Sequence, residues 1–153
     1  METRGKLKVE NWMQLQFEAR SENESLARIA VASFITPLNP TLEEMADVKT
    51  AISEAVTNAI IHGYEEGEGV VYIRCRLLGD LLEVEIEDKG KGIEDVELAM
   101  EPLFTTKPDK DRSGMGFSFM EAFMDELEVE SFSGRGTRIM MKKKLGTGDW
   151  FEV

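Results

Sequence analysis

One stretch, Thr41 to Gly63 (TLEEMADVKTAISEAVTNAIIHG), limits what this chain can fold into more than any other. Thr41 followed by Glu44 is a capping box, in which each side chain satisfies the other's orphan backbone N–H at a helix start. Gly63 suits the position just past a helix end, where a left-handed turn costs a residue without Cβ least. Between them Met45, Val48, Ile52, Ala55, Val56, Ala59 and Ile60 recur at helical spacing as one apolar stripe. Glu54, Asn58 and His62 follow each other at four-residue intervals. On a helix such residues stack along one edge, each about 6 Å from the next. A carboxylate, an amide and an imidazole in a row beside a buried face predict a pocket, and the rest of the chain reads as the walls of that pocket.

The elements around this helix follow from period and punctuation. Trp12 to Ala19 alternates apolar and polar residues and predicts a strand. Ser21-Glu22-Asn23-Glu24 reads as a second capping box, opening a helix over 22–35 that carries Ala27, Ile29, Ala30, Val31, Phe34 and Ile35. Pro37 and Pro40 end it. Val70 to Leu78 and Leu81 to Glu87 predict two strands joined at Gly79-Asp80. In the second, Leu82, Val84 and Ile86 share one face and Glu83, Glu85 and Glu87 the other. Such alternation suits an antiparallel sheet with one face packed and one in water. Residues 93–113 form a long irregular stretch with one short helical piece near 94–99, and loops of that length are usually functional. Gly114-Met115-Gly116 opens a helix to about Met124, and Glu128 to Phe132 with Thr137 to Lys144 predicts a last hairpin.

Size and charge narrow the class. The 153 residues suit a single domain, with 42% hydrophobic residues. A net charge of -12, from 30 acidic against 18 basic residues, argues against direct nucleic-acid binding and against anionic membrane surfaces. It leaves room for a basic protein partner or a divalent cation carried in with a ligand. Cys75 is the single cysteine, so no internal disulfide forms, as expected in a reducing compartment. No stretch reads as a signal core or a membrane span, and a cytoplasmic location is the expectation.

Four pieces can carry chemistry. Asn58 offers a neutral oxygen of the kind Mg²⁺ accepts, and Glu54 is a suitable general base. Asp88-x-Gly90-x-Gly92 follows a strand. An ionised carboxylate there only accepts hydrogen bonds and can read an exocyclic amino group such as that of adenine. The third piece, Gly114-Met115-Gly116 at a helix start, offers free N–H groups and the positive dipole end to phosphate. Lys107, Lys110 and Arg112 precede it. The fourth, Gly136-Thr137, begins a strand whose hydroxyl can face a ligand. Singly, each has a plain structural explanation: a helix end, a turn, a glycine-rich helix entry, a strand threonine.

Their order is more specific than any of them. An acid-xxx-Asn helix, DxGxG, a long loop, GxG opening a helix and Gly-Thr on a strand form the motif series of the GHKL ATPase superfamily, which this chain resembles along nearly its whole length. No helical phosphoacceptor region accompanies it. The segments ARSENESLARIAVASFI, ISEAVTNAIIHGY, IEDKGKGI and LFTTKPDKDRSGMGFSFM resemble the small stand-alone anti-sigma serine kinases, the sporulation branch more closely than the stress-response one.

That resemblance implies an α/β two-layer sandwich, a mixed, mostly antiparallel sheet with helices on one face and ATP under a loop that acts as a lid. It implies Asn58 as the Mg²⁺ ligand, Glu54 as catalytic base, Asp88 on the adenine amino group helped by Thr137, and Gly90 and Gly92 along the base. Gly114, Met115 and Gly116 would receive phosphates, with Ser113, Arg112 and Lys107 in the lid. The implied partners are a sigma factor, an anti-anti-sigma protein that accepts phosphate on a serine, and a second copy of the chain in a homodimer. The alternatives are a module that uses ATP only to fix its shape while regulating a stress sigma factor, and an ATPase that hydrolyses without transferring.

Overall fold

The computed structural model describes residues 9–101 and 116–146. Strand β1 (Val9–Glu18) leads to helix α1 (Asn23–Phe34), and a short 3-10 turn at Thr36–Leu38 leads to α2 (Leu42–Asn58). Strands β2 (Val70–Leu78) and β3 (Leu81–Asp88) follow, then the single turn α3 (Val96–Ala99), α4 (Gly116–Phe123), β4 (Glu126–Phe132) and β5 (Gly136–Lys144). The sheet order is β1-β2-β3-β5-β4. Every pairing is antiparallel, so the expected mixed sheet is antiparallel throughout its described strands.

The period-2 pattern sorts each strand onto two faces. Ile73, Cys75, Leu82, Val84, Ile86, Ile139 and Met141 are buried on the inner face. Against them pack Ala27, Val31 and Ile35 of α1, Val48, Ile52, Ala55 and Val56 of α2, and Phe117 and Met120 of α4. Ile29 is 61% exposed, because the helical period set by Ala27 and Val31 turns it outward. The outer face is a lattice of opposite charges. Arg74 meets Glu87 at 3.0 Å, Arg138 meets Glu85 at 3.2 Å, and Arg76 pairs with Glu83. Each such pair contributes little alone in water, but together they satisfy a face that no helix among the described residues covers.

Two local readings are settled at the helix starts. Thr41 and Glu44 form the capping box: the Glu44 amide donates to Thr41 Oγ1 at 3.0 Å and the Thr41 amide donates to Glu44 Oε1 at 2.9 Å. The same Glu44 oxygen accepts from the Gly146 amide, tying the start of α2 to the end of β5. No capping box forms at Ser21. Helix α1 begins after Glu22 with no side-chain cap, and Glu24 is turned instead toward Ser53 and Arg28, at 2.6 and 3.1 Å. A contact between helices has displaced a local one.

A candidate nucleotide site between α2, α4 and the turn after β3

The helix expected over 41–63 changes character at Asn58. Residues Ala59–Gly63 form a π turn, which admits one extra residue into the hydrogen-bond ladder. Glu54 and Asn58 therefore keep helical spacing on the last two turns of α2, while His62 does not continue their row as a plain α-helix would place it. Such π turns recur at functional sites. This one delivers Gly63 onto the end of β3. A Cβ on Gly63 would lie 2.7 Å from the carboxylate of Asp88, so only glycine lets the helix end meet that side chain.

Asp88 closes β3 and is 3% exposed. Its Oδ1 accepts from the Gly90 amide at 2.9 Å, and the Thr137 amide also hydrogen-bonds to it. Burial pushes its carboxyl up to about 6, against the pull of those two amides. Gly90 is set by close approach: a Cβ there would fall 2.0 Å from the Gly63 carbonyl oxygen. That carbonyl accepts from the Lys91 amide at 2.9 Å, so the DxGxG turn is laced to the end of the long helix. Gly92 holds a φ of +78° against the carbonyl of Phe132.

Thr137 is buried opposite Asp88 in the β3–β5 register, and Ser131 stands opposite Thr137 in the β4–β5 register. Asp88, Thr137 and Ser131 thus form one polar row at the end of an otherwise apolar face. At the other end of the site, a Cβ on Gly116 would lie 3.3 Å from Glu54 Oε1. The first residue of α4 therefore sits beside the carboxylate of α2. Lys107, Arg112, Ser113, Gly114 and Met115 lie outside the described residues.

Two residues of this neighbourhood were not singled out from the sequence. The Tyr64 hydroxyl donates to the Val70 carbonyl at 2.6 Å and accepts from the Lys89 amide at 2.7 Å. It joins the helix end, the start of β2 and the turn after Asp88, and burial pushes its phenol up. The other is Ser131, whose alternation with Leu127 and Val129 on the packed face was the only signal: a hydroxyl where an aliphatic side chain is expected.

The donor set fits a cation that arrives with phosphate. Among the described residues no group of three or more His, Cys, Asp or Glu could hold a metal. Mg²⁺ needs only one or two side-chain oxygens when it keeps its waters and shares phosphate oxygens. Asn58, on the last turn of α2, offers one.

The fold matches that of known proteins. The family described as the histidine kinase-like ATPase domain matches residues 17–143. Among solved structures, the RsbU and RsbW domains of a Mycobacterium tuberculosis protein superpose with a TM-score of 0.63 at 18% identity, over 88% of this chain and 32% of that one. The catalytic domain of the histidine kinase ThkA gives 0.56 at 17% identity, over 87% and 96%. These two establish the fold, a two-layer α/β sandwich. The anti-sigma F factor of Clostridium acetobutylicum is 61% identical over 90% of this chain and 96% of its own length. That of Caldanaerobacter subterraneus subsp. tengcongensis is 54% identical over 92% and 98%. The chain belongs to the anti-sigma F factor family of histidine kinase-like ATPase domains. No helix among its described residues is long and apolar enough to cross a membrane.

Proposed function

We propose that this chain binds and inhibits a sporulation sigma factor and uses Mg-ATP to phosphorylate a serine on an anti-anti-sigma partner. The observation that carries this reading is the placement of Glu54. Its carboxylate lies against the first residue of α4, while the helix that bears it ends on the buried Asp88. One helix thus spans from an adenine-reading acceptor to a phosphate-receiving helix start, and the base stands at the phosphate end.

Each residue then has a role. Asp88 accepts from the adenine amino group beside Thr137, and Gly90 and Gly92 line the base. Gly114, Met115 and Gly116 are assigned to the phosphate oxygens, and Lys107, Arg112 and Ser113 to the lid. Asn58 holds Mg²⁺, which when bound neutralises charge on the phosphates. Glu54 orients the acceptor serine and takes its proton as the new O–P bond forms and the bond to the departing ADP oxygen breaks. Exclusion of water keeps the phosphoryl group for the serine. The acidic surface suits a basic sigma-factor face, and the working unit is a homodimer in the cytoplasm.

The test is label transfer. The purified chain is mixed with γ-labelled ATP and the candidate anti-anti-sigma protein, and serine is assayed for label. Label on serine that disappears in Glu54→Ala, with nucleotide binding retained, is the expected result. Release of label only as free phosphate identifies an ATPase. Full turnover in Glu54→Ala removes the base assignment.

A further inference from the structure

The hydroxyl of Ser131 is placed to decide which way the Thr137 hydroxyl points. It accepts from the Ile93 amide at 2.6 Å, reaches the Gly136 carbonyl at 3.1 Å as a donor, and lies 2.8 Å from Thr137 Oγ1. A serine hydroxyl has one proton. With that proton on the Gly136 carbonyl, the short contact to Thr137 is made by the Thr137 proton. Thr137 Oγ1 is then left with lone pairs facing the same side of the sheet as the Asp88 carboxylate, its cross-strand neighbour.

We propose that Ser131 is a specificity-determining residue: by holding the Thr137 hydroxyl as an acceptor beside Asp88, it makes the site read a purine 6-amino group and reject a 6-oxo group. The inference rests on the nucleotide reading above and adds to it the residue that sets base choice. Two acceptors side by side match the donor N–H of a 6-amino purine. A 6-oxo purine presents an acceptor there, and Thr137 cannot turn to donate to it while its proton is committed to Ser131. Ser131 touches no reacting atom; it acts through Thr137. Its hydroxyl also receives the amide that begins the segment leaving the DxGxG turn. One side chain from β4 thereby joins the turn to β5.

The experiment compares affinities for ADP and inosine diphosphate, which differ at the purine 6-position and N1, by titration calorimetry on the full chain. Ser131→Ala frees the Thr137 hydroxyl to rotate. The ratio of ADP to inosine diphosphate affinity is expected to fall about fivefold, the size of one net hydrogen bond. Ser131→Thr, which keeps the hydroxyl, is expected to restore the ratio. In a Thr137→Val background Ser131→Ala is expected to leave the ratio unmoved, which a merely structural effect would not produce. If Ser131→Ala weakens both nucleotides by the same factor, or the ratio changes equally without Thr137, the inference is overturned. Absence of ADP binding by the unaltered protein overturns the nucleotide reading itself, whereas binding with an unmoved ratio overturns only the role of Ser131.

Discussion

Asp88 shows, at the scale of one side chain, what burying a carboxylate costs the fold. Its carboxyl is raised to about 6 chiefly by burial. An unfolded aspartate titrates near 4. Between those values the folded chain binds the extra proton, so stability falls as pH rises through that window and the cost stays constant above it. The shift corresponds to about 3 kcal/mol. Asp88→Asn keeps an oxygen to accept from the Gly90 and Thr137 amides but carries no charge. It is therefore expected to stabilise the nucleotide-free protein at pH 7 by about 1–3 kcal/mol, with the gain vanishing at pH 4, as read by urea unfolding. ADP affinity should fall in the same variant. In the unaltered protein, affinity for ADP is expected to rise as pH increases through about 6 and then level off, because only the ionised carboxylate accepts from an amino group on both oxygens. A flat pH profile between 5 and 7.5 would remove Asp88 from the base-reading role.

Helix α2 with its π turn is the element on which the site depends, and it also marks how far sequence reasoning reached. The capping box at Thr41, the buried stripe and the spacing of Glu54 and Asn58 follow from local period and were legible. So was the two-faced pattern of β3, since alternation is a property of neighbours along the chain. The π turn was not, because its cause is distant: Gly63 must meet the Asp88 carboxylate and Gly90 must meet the Gly63 carbonyl. The failed capping box at Ser21 has the same origin, as the partner that draws Glu24 away is Ser53, 29 residues on. Ser131 was hard to read because its hydroxyl serves groups from two separate segments, the stretch after the DxGxG turn and the start of β5. Tyr64 tests the element directly. Tyr64→Phe keeps the ring over Gly69 but leaves the Val70 carbonyl and Lys89 amide without the hydroxyl that joined them. A loss of about 1–3 kcal/mol in stability is expected. The KM for ATP should rise severalfold while kcat stays near its original value, since Glu54 and α4 are untouched. A fall in kcat with KM unchanged would mean that the tyrosine serves the phosphate end instead.

Across the whole molecule, the site is assembled from pieces far apart in the chain: the last turns of α2, the turn after β3, the first residue of α4 and the start of β5. Packing of α2 against both α1 and α4 places it at the centre of the helical layer, and the charge lattice finishes the opposite face of the sheet. A ligand that touches all four pieces binds only the folded arrangement, so its binding free energy appears as global stability. At about a hundredfold excess over its dissociation constant, that contribution is about 2.7 kcal/mol. For a domain of this size each kcal/mol moves Tm by about 2–4 °C. Saturating Mg-ADP is therefore expected to raise Tm by about 5–10 °C, read by differential scanning calorimetry. Glu54→Ala should keep that shift, because a base is needed for transfer rather than for grip. Asp88→Ala should lose most of it, because the adenine end then has no charged acceptor and the row with Thr137 is broken. A full shift in Asp88→Ala, or an equal one from Mg²⁺ with inorganic pyrophosphate alone, would show that phosphate contacts hold the ligand and that the polar row across β3, β5 and β4 does not read the base.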